Sequence, residues 1–462
     1  MVNDKYLFSL NIPNTNKPRV VVLGGGFGGI NLAKKISDDF QLVLLDRYNY
    51  HTFQPLLYQV ATAGLEPDSI AGPLRLIMAK KKDVYFRMLS AEYVSPENKT
   101  IVTTVGELTY DYLVIATGAK VNFFNNDSIA RHAFPLKQIT HALDLRSHIF
   151  QQFETFQLLK NNHQKAECLN FVVVGAGPTG VEVCGALAEL KLHVLPKDYS
   201  ELSSNDVKIY LVEGLDRVLP GMSEKSGEIA YQYLRKLGVN VNLNCLTEQY
   251  DGQIAKLNNG QEIKTNTLIW AAGVKGNIIK GFEEQSIQKG KLLVNEINQV
   301  IRNGERNEAY ANIFAIGDVA LVKHKDHLEE LPGLAQVAIQ QGKHLAYNLE
   351  RIVKSRAPKA FRYKNKGVMA TIGRNKAVAD LPNSIHFKGF IGWFIWMAVH
   401  LLFLVGFRSK VVALINWVWN YFTYDRGVRL ILRPSSKLDD IISQNIEKEM
   451  NEVNIQKPEK HE

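Results

Sequence analysis

Short runs of aliphatic and β-branched residues recur along the chain, each ending in a glycine turn or an acid. Val20-Val21-Val22-Leu23 runs into Gly24, Leu42-Val43-Leu44-Leu45 into Asp46, and Leu113-Val114-Ile115 into Ala116-Thr117-Gly118. Unbroken apolar runs of this length are what buried parallel strands show, and the polar-apolar stretches between them have helical spacing. The scheme then repeats. Phe171-Val172-Val173-Val174 runs into Gly175, Ile209-Tyr210-Leu211-Val212 into Glu213, and Leu268-Ile269-Trp270 into Ala271-Ala272-Gly273. A last run, Ile313 to Ile316, delivers Gly317-Asp318. The order predicts an α/β chain with two Rossmann-like units, the second inserted into the first.

The turns carry the chemistry. GGGFGG spans Gly24 to Gly29 and GAGPTG spans Gly175 to Gly180, each between a predicted strand and a predicted helix. Such glycines let backbone N–H groups approach a pyrophosphate that sits on the positive end of a helix. One copy is weak evidence, since glycine turns are common, but two in matching contexts imply two dinucleotides exchanging electrons. The candidate contacts for the first nucleotide are Gly24, Gly26, Phe27, Gly28, Gly29, Asp46, Arg47, Ala116, Thr117, Gly118, Gly317 and Asp318. For the second they are Gly175, Gly177, Pro178, Thr179, Gly180, Glu182, Glu213 and Gly273. Asp46 falls where an acid takes ribose hydroxyls. Glu213 lies farther on, behind the polar insertion HVLPKDYSELSSND, and would repel a 2′-phosphate, favouring NADH over NADPH. Each acid alone has the plainer reading of a solvated strand end as the lesser alternative.

The two apolar runs near the C-terminus read differently. Phe390 to Val405 and Val411 to Tyr424 are divided by Arg408 and Lys410, and four of the five tryptophans fall between Trp393 and Trp419. At 1.5 Å per residue each run extends about 21–24 Å, short of the roughly 30 Å core of a bilayer. Aromatics and flanking cations describe helices lying in the membrane interface, with a buried hairpin or dimer contact as the plainer reading. The segment from Pro434 reads as a short amphipathic helix and a charged, disordered end.

Composition narrows the partners. With 462 residues, 46% hydrophobic and 22% charged, the chain has room for two or three globular domains. A net charge of +9 suits nucleotide phosphates or acidic lipids, and no nucleic-acid partner is expected. The N-terminus has no apolar signal region, so a cytoplasmic location is expected. Cys168, Cys184 and Cys245 form no CxxC pair and none lies near the first cradle, so neither a redox dithiol nor a metal or iron–sulfur site is expected.

The motifs VVLGGGFGG, NYHTFQPLLYQVATAGLEP, ATGA, VVVGAGPTGVE, LVEGLDRVLP, WAAGVKGN, FAIGDVA, LPGLAQVAIQQG and KGVMATIGR together resemble the type II NADH:quinone oxidoreductases up to about residue 433. The resemblance implies a glutathione-reductase-like arrangement with a C-terminal membrane-associated helical segment. It implies FAD, held noncovalently, in residues 1–125 and 286–370, NADH in 126–285, a membrane-anchoring and dimerisation region in 371–433, and a charged tail in 434–462. It further implies transfer of a hydride from NADH to FAD and of two electrons to a membrane quinone, without ion pumping, by a homodimer on the cytoplasmic face of the cell membrane. Ala335 and Gln336 should open a helix at the flavin, with Gln336, Gln340, Lys366 and Met369 at the quinone and Glu182 handling protons or nicotinamide. A soluble reductase of a small electron carrier, or a slow redox-sensing flavoprotein, are the alternatives.

Overall fold

A computed structural model describes residues 8–305, 308–323, 328–424 and 427–433. The first unit is a parallel sheet in the order Val84–Met88, Gln41–Asp46, Arg19–Leu23, Tyr112–Ile115, Ala309–Ala315, extended by the antiparallel strand Gln299–Ile301. Alternate side chains of its strands go to opposite layers. Val20, Val22, Leu42 and Leu44 pack with the helices Phe27–Lys35 and Ala335–Val353. Val21, Leu23 and Val43 pack with Val94, Ile101 and Leu108 of a small antiparallel sheet. Both faces are covered, which is why these strands are apolar without alternation.

The second unit repeats the plan in the order Phe134–Pro135, Thr267–Trp270, Asn170–Val174, Lys208–Val212, Val239–Asn242, all parallel. Phe171, Val173, Ile209 and Leu211 face the helices Ile139–Leu158 and Pro178–Glu189, while Val172, Val174 and Val212 face Tyr250, Ala255 and Leu257. The chain crosses between the units where Ala119–Val121 pairs antiparallel with Val274–Gly276.

Three details differ from the sequence reading. Val121 to Arg131, a stretch that reads in the sequence as a linker, leads into the helix Asp127–His132, capped by Asn126 Oδ1 accepting from the Ile129 N–H at 3.1 Å. The polar insertion begins as helix, which continues through a π turn, Leu190–Val194, into Leu195–Asp198. Val194 and Leu195 are buried there, and that burial outweighs the polarity of their neighbours. Arg408 and Lys410 do not separate the apolar runs. The break falls at Gly406, at φ +91°, and both cations lie inside the following helix.

That helix, Phe407–Thr423, and its predecessor Gly389–Phe403 follow a three-stranded antiparallel sheet, Val368–Thr371, Ala377–Leu381 and Ile385–Lys388. Their inner face buries Trp396, Ala413 and Trp417. Their outer face leaves Phe407 83%, Phe422 78%, Leu402 72% and Trp419 60% exposed. No helix among the described residues is long and apolar enough to cross a membrane. The amphipathic helix and charged end read from Pro434 onward lie outside the described residues.

Candidate functional site

The two glycine cradles are built alike. Gly24 sits at φ +109° and donates to Leu45 O at 2.8 Å, and a Cβ there would lie 2.4 Å from Ala116 O. Gly175, at φ +99°, donates to Val212 O at 2.8 Å, and its Cβ would lie 2.8 Å from Ala272. In each helix the third glycine presses on the first: a Cβ on Gly29 would fall 1.9 Å from Gly24 O, and one on Gly180 would fall 1.8 Å from Gly175 O. Gly26 and Gly177 instead face open space. The first and third glycines thus hold strand to helix, leaving the middle one free to admit a ligand.

The strand-end acids match as well. Asp46 accepts from the Gly25 N–H at 2.6 Å and the Tyr48 N–H at 2.8 Å. Glu213 accepts from the Ala176 N–H at 2.6 Å and the Leu215 N–H at 3.0 Å. Neither is merely a solvated strand end. Burial raises the pKa of the Asp46 carboxyl, against the lowering effect of its two backbone bonds.

A single cavity of about 1140 Å³ runs between the units and the C-terminal region. It exceeds the roughly 300–1,000 Å³ of ordinary ligand pockets. Its first wall holds Gly24, Gly26, Phe27 and Gly28 with Asp46 and Arg47, and Ala116, Thr117 and Gly118 with Gly317 and Asp318. Pro178, Thr179, Glu182 and Gly273 come from the inserted unit, and Ala335, Gln336, Lys366 and Met369 from the return and C-terminal segments. Gly29, Gly175, Gly177, Gly180, Glu213 and Gln340 do not line it. Gln340 instead clasps a loop, exchanging hydrogen bonds with the Lys364 backbone at 2.9 and 3.0 Å. Gln336 does the same one turn earlier, donating to Gly367 O at 2.9 Å and accepting from the Lys366 N–H at 3.2 Å. Arg217, four residues beyond Glu213, donates to Pro220 O at 2.8 Å.

Helix Ala335–Val353 begins at the cavity wall and packs on the first cradle so closely that a Cβ on Gly342 would lie 2.3 Å from Gly28 O. Its Gln341, buried, accepts from the Gly317 N–H at 2.7 Å and so fixes the Gly317-Asp318 turn. Lys137 Nζ stands 3.7 Å from Asp318.

Among the described residues Glu182 is the most perturbed acid. It is buried, its Oε1 accepts from the Thr371 N–H at 3.4 Å, and no described cation contributes to its shift. Burial pushes its carboxyl up to about 8, against smaller opposing contributions from Thr371 and the Trp396 indole. Two histidines were not selected from the sequence. His51 places Nδ1 3.0 Å from Gly25 O beneath the first cradle, and burial lowers it to about 4. His400 lines the cavity, places Nδ1 2.7 Å from Trp396 O, stacks on the Trp396 ring at 4.2 Å, and is likewise lowered to about 4 by burial. Both rings are neutral near pH 7. Only the motif NYHTFQP hinted at His51, and His400 was hidden in an apolar run.

Residues 18–342 match the pyridine nucleotide-disulphide oxidoreductase model, and residues 365–424 match the NDH2 C-terminal domain. The type II NADH:quinone oxidoreductase Ndh of Mycobacterium tuberculosis is 34% identical, over 88% of this chain and 89% of its own length. The chain belongs to that family. NdhA of the same organism, another type II NADH:quinone oxidoreductase, is also 34% identical over 88% of each chain. NDH2 from Plasmodium falciparum, solved in complex with NADH, superposes with a TM-score of 0.81 at 23% identity, over 90% of this chain and all of that one. That likeness shows the pyridine nucleotide-disulphide oxidoreductase fold for this type II family member. The inserted second unit and the return to the first, read from the strand order, stand within that fold.

Proposed function

We propose that the chain is a membrane-associated NADH:quinone oxidoreductase that carries FAD, oxidises NADH and reduces a membrane quinone without pumping ions. The carrying observation is the shared cavity: the first cradle, the Thr179–Glu182 helix start and the Gln336–Lys366–Met369 wall all open onto it. The residues fit the flavin. Gly26 offers an open cradle, Asp46 stands ready for ribose hydroxyls, and Gly317-Asp318 is braced by Gln341. When bound, FAD accepts a hydride and passes electrons on, a chemistry that belongs to the cofactor.

The protein supplies position. Gly175, Gly177 and Gly180 cradle the pyrophosphate of NADH and Glu213 takes its ribose, while Pro178, Thr179, Glu182 and Gly273 bring the nicotinamide to the shared cavity. The start of helix Ala335–Val353 points its dipole at the flavin and favours negative charge there. Gln336, Lys366 and Met369 receive the quinone head, with Gln340 holding the loop that carries Lys366. The apolar outer face of Gly389–Phe403 and Phe407–Thr423 rests in the membrane interface, on the cytoplasmic face, where a lipid-dissolved quinone reaches the cavity directly. A homodimer would set two such faces side by side. The same outer face, with the match of residues 365–424 to the NDH2 C-terminal domain, weighs against a soluble electron-carrier reductase and a redox sensor. The test is flavin absorbance. Anaerobic NADH bleaches it and a short-chain quinone restores it; absence of either change overturns the reading.

A further inference from the structure

Behind Glu182 lies a second, smaller cavity of about 110 Å³. One water needs roughly 10–15 Å³ of such space, so this one holds several. Glu182 and Tyr58 stand in the wall of both cavities. The small one lies away from the glycine cradles, between helix Pro178–Glu189 and the two C-terminal helices, and reaches Glu189 and Arg374. Glu182 and Glu189 are seven residues apart on one helix, hence on the same face and about 10 Å apart along the axis.

The lining is suited to water. Gln59 donates to the Tyr58 hydroxyl at 2.9 Å and accepts from the Trp417 indole at 2.8 Å, and Thr371 and Asn420 add further polar groups. Trp396 is 2% exposed and lines this cavity, its indole acting on the Glu182 carboxyl. A polar space of this size has room for water that bonds these groups. At the outer end the Arg374 N–H donates to Glu189. The Arg374 guanidinium caps the passage, 3.6 Å from the Tyr424 ring centre and 4.3 Å from that of Tyr421. Glu189 acts electrostatically on His193 of the same helical stretch, as do Lys197, Arg374 and Lys376. The π turn begins at the next residue, Leu190, a widening of the kind found at functional sites.

The stoichiometry calls for one proton from solvent. Reduction follows NADH + H⁺ + quinone → NAD⁺ + quinol, so the hydride brings two electrons and one proton, and the second proton comes from water. We propose that this proton enters at Glu189, crosses the small cavity along ordered water, and recharges Glu182, which delivers it to the reduced quinone oxygen. The route rests on the function proposed above. Glu189 touches no substrate and acts through Glu182.

Two variants of the FAD-loaded enzyme test it. Ala186→Leu places bulk in the small cavity, which Ala186 lines, and leaves the large one untouched. Glu189→Gln removes the outer acid. In the resting enzyme in D₂O, the infrared band of the protonated Glu182 carboxyl, assigned by its loss in Glu182→Gln, exchanges with solvent. Exchange should slow about 100-fold in Ala186→Leu, a loss at the low end of what positioned proton transfer contributes. In stopped flow, NADH should bleach the flavin at the wild-type rate in both variants. Reoxidation by a short-chain quinone should slow, show a larger solvent isotope effect, and be rescued in Glu189→Gln by a small permeant acid. Wild-type exchange and reoxidation in both variants overturn the route, as does an equal slowing of both half-reactions. Failure of NADH to bleach wild-type flavin overturns instead the function on which it rests.

Discussion

Glu182 Oε1 lies 3.4 Å from the Thr371 N–H, so a helix of the inserted unit and a strand of the C-terminal sheet meet at one buried carboxyl. The contact is tight around it. A Cβ on Gly185, one turn along, would fall 2.7 Å from the Ile372 backbone. The acid therefore occupies the seam where the first cradle, the inserted unit and the C-terminal segment line one cavity.

The seam has a pH signature. Folded Glu182 keeps its proton to about pH 8, whereas the unfolded side chain releases it near the ordinary 4.5. Between those values the folded state binds more protons, so stability falls as pH rises and levels off above about 8. At 1.36 kcal/mol per unit the decline is about 5 kcal/mol at most. Glu182→Gln keeps the size and an oxygen for Thr371 but cannot ionise, so this decline should vanish. Denaturation midpoints of both proteins across that window decide it, and parallel slopes defeat the assignment.

Asp46 should govern flavin retention. Hydrogen bonds to a charged group contribute about 1.5–3 kcal/mol each, and this carboxylate makes two that shape the first cradle. Asp46→Ala should weaken FAD binding at least about tenfold, one such bond's worth at 1.4 kcal/mol per decade. The flavin-to-protein absorbance ratio after gel filtration measures this. An unchanged ratio would show the cradle to be self-supporting.

Gln336 should separate the two half-reactions. Its amide joins Lys366 and Gly367, and two neutral hydrogen bonds at about 1 kcal/mol each amount to roughly 30-fold. Gln336→Ala should raise the quinone KM by about that factor, with flavin bleaching by NADH unaltered. A rise in the NADH KM instead would move Gln336 to the other substrate.

How much of this was legible in the sequence depends on chain distance. The cradles were, because strand, glycine turn and acid lie within a few tens of residues and each glycine has a local steric cause. Glu182 was found by its place beside a cradle, but its partners Thr371 and Trp396 are 189 and 214 residues on (371 − 182 and 396 − 182), and nothing local announces them. Its burial, and hence its raised pKa, belongs to the tertiary fold. His400 was masked by hydrophobic neighbours and Gln341 by helical periodicity. The π turn was not legible because Leu190, Val194 and Leu195 keep a buried face that the polar residues after them conceal.

The outer face of the C-terminal helices supplies the last prediction. Phe407 and Phe422 are 83% and 78% exposed, and they lie near opposite ends of one helix whose other face is anchored by Trp417 on Gln59. Exposed aromatics on a rigid, docked helix bury apolar area when they meet a lipid interface, at about 2 kcal/mol each. The double variant Phe407→Ala, Phe422→Ala should therefore lose about 4 kcal/mol of partitioning, a factor of roughly 1000. Co-flotation with liposomes reads this directly, while soluble-phase bleaching of the flavin by NADH reports that the nucleotide units are intact. Undiminished flotation would mean that the membrane is held elsewhere, and the helices would then be free to serve as a contact between copies of the chain.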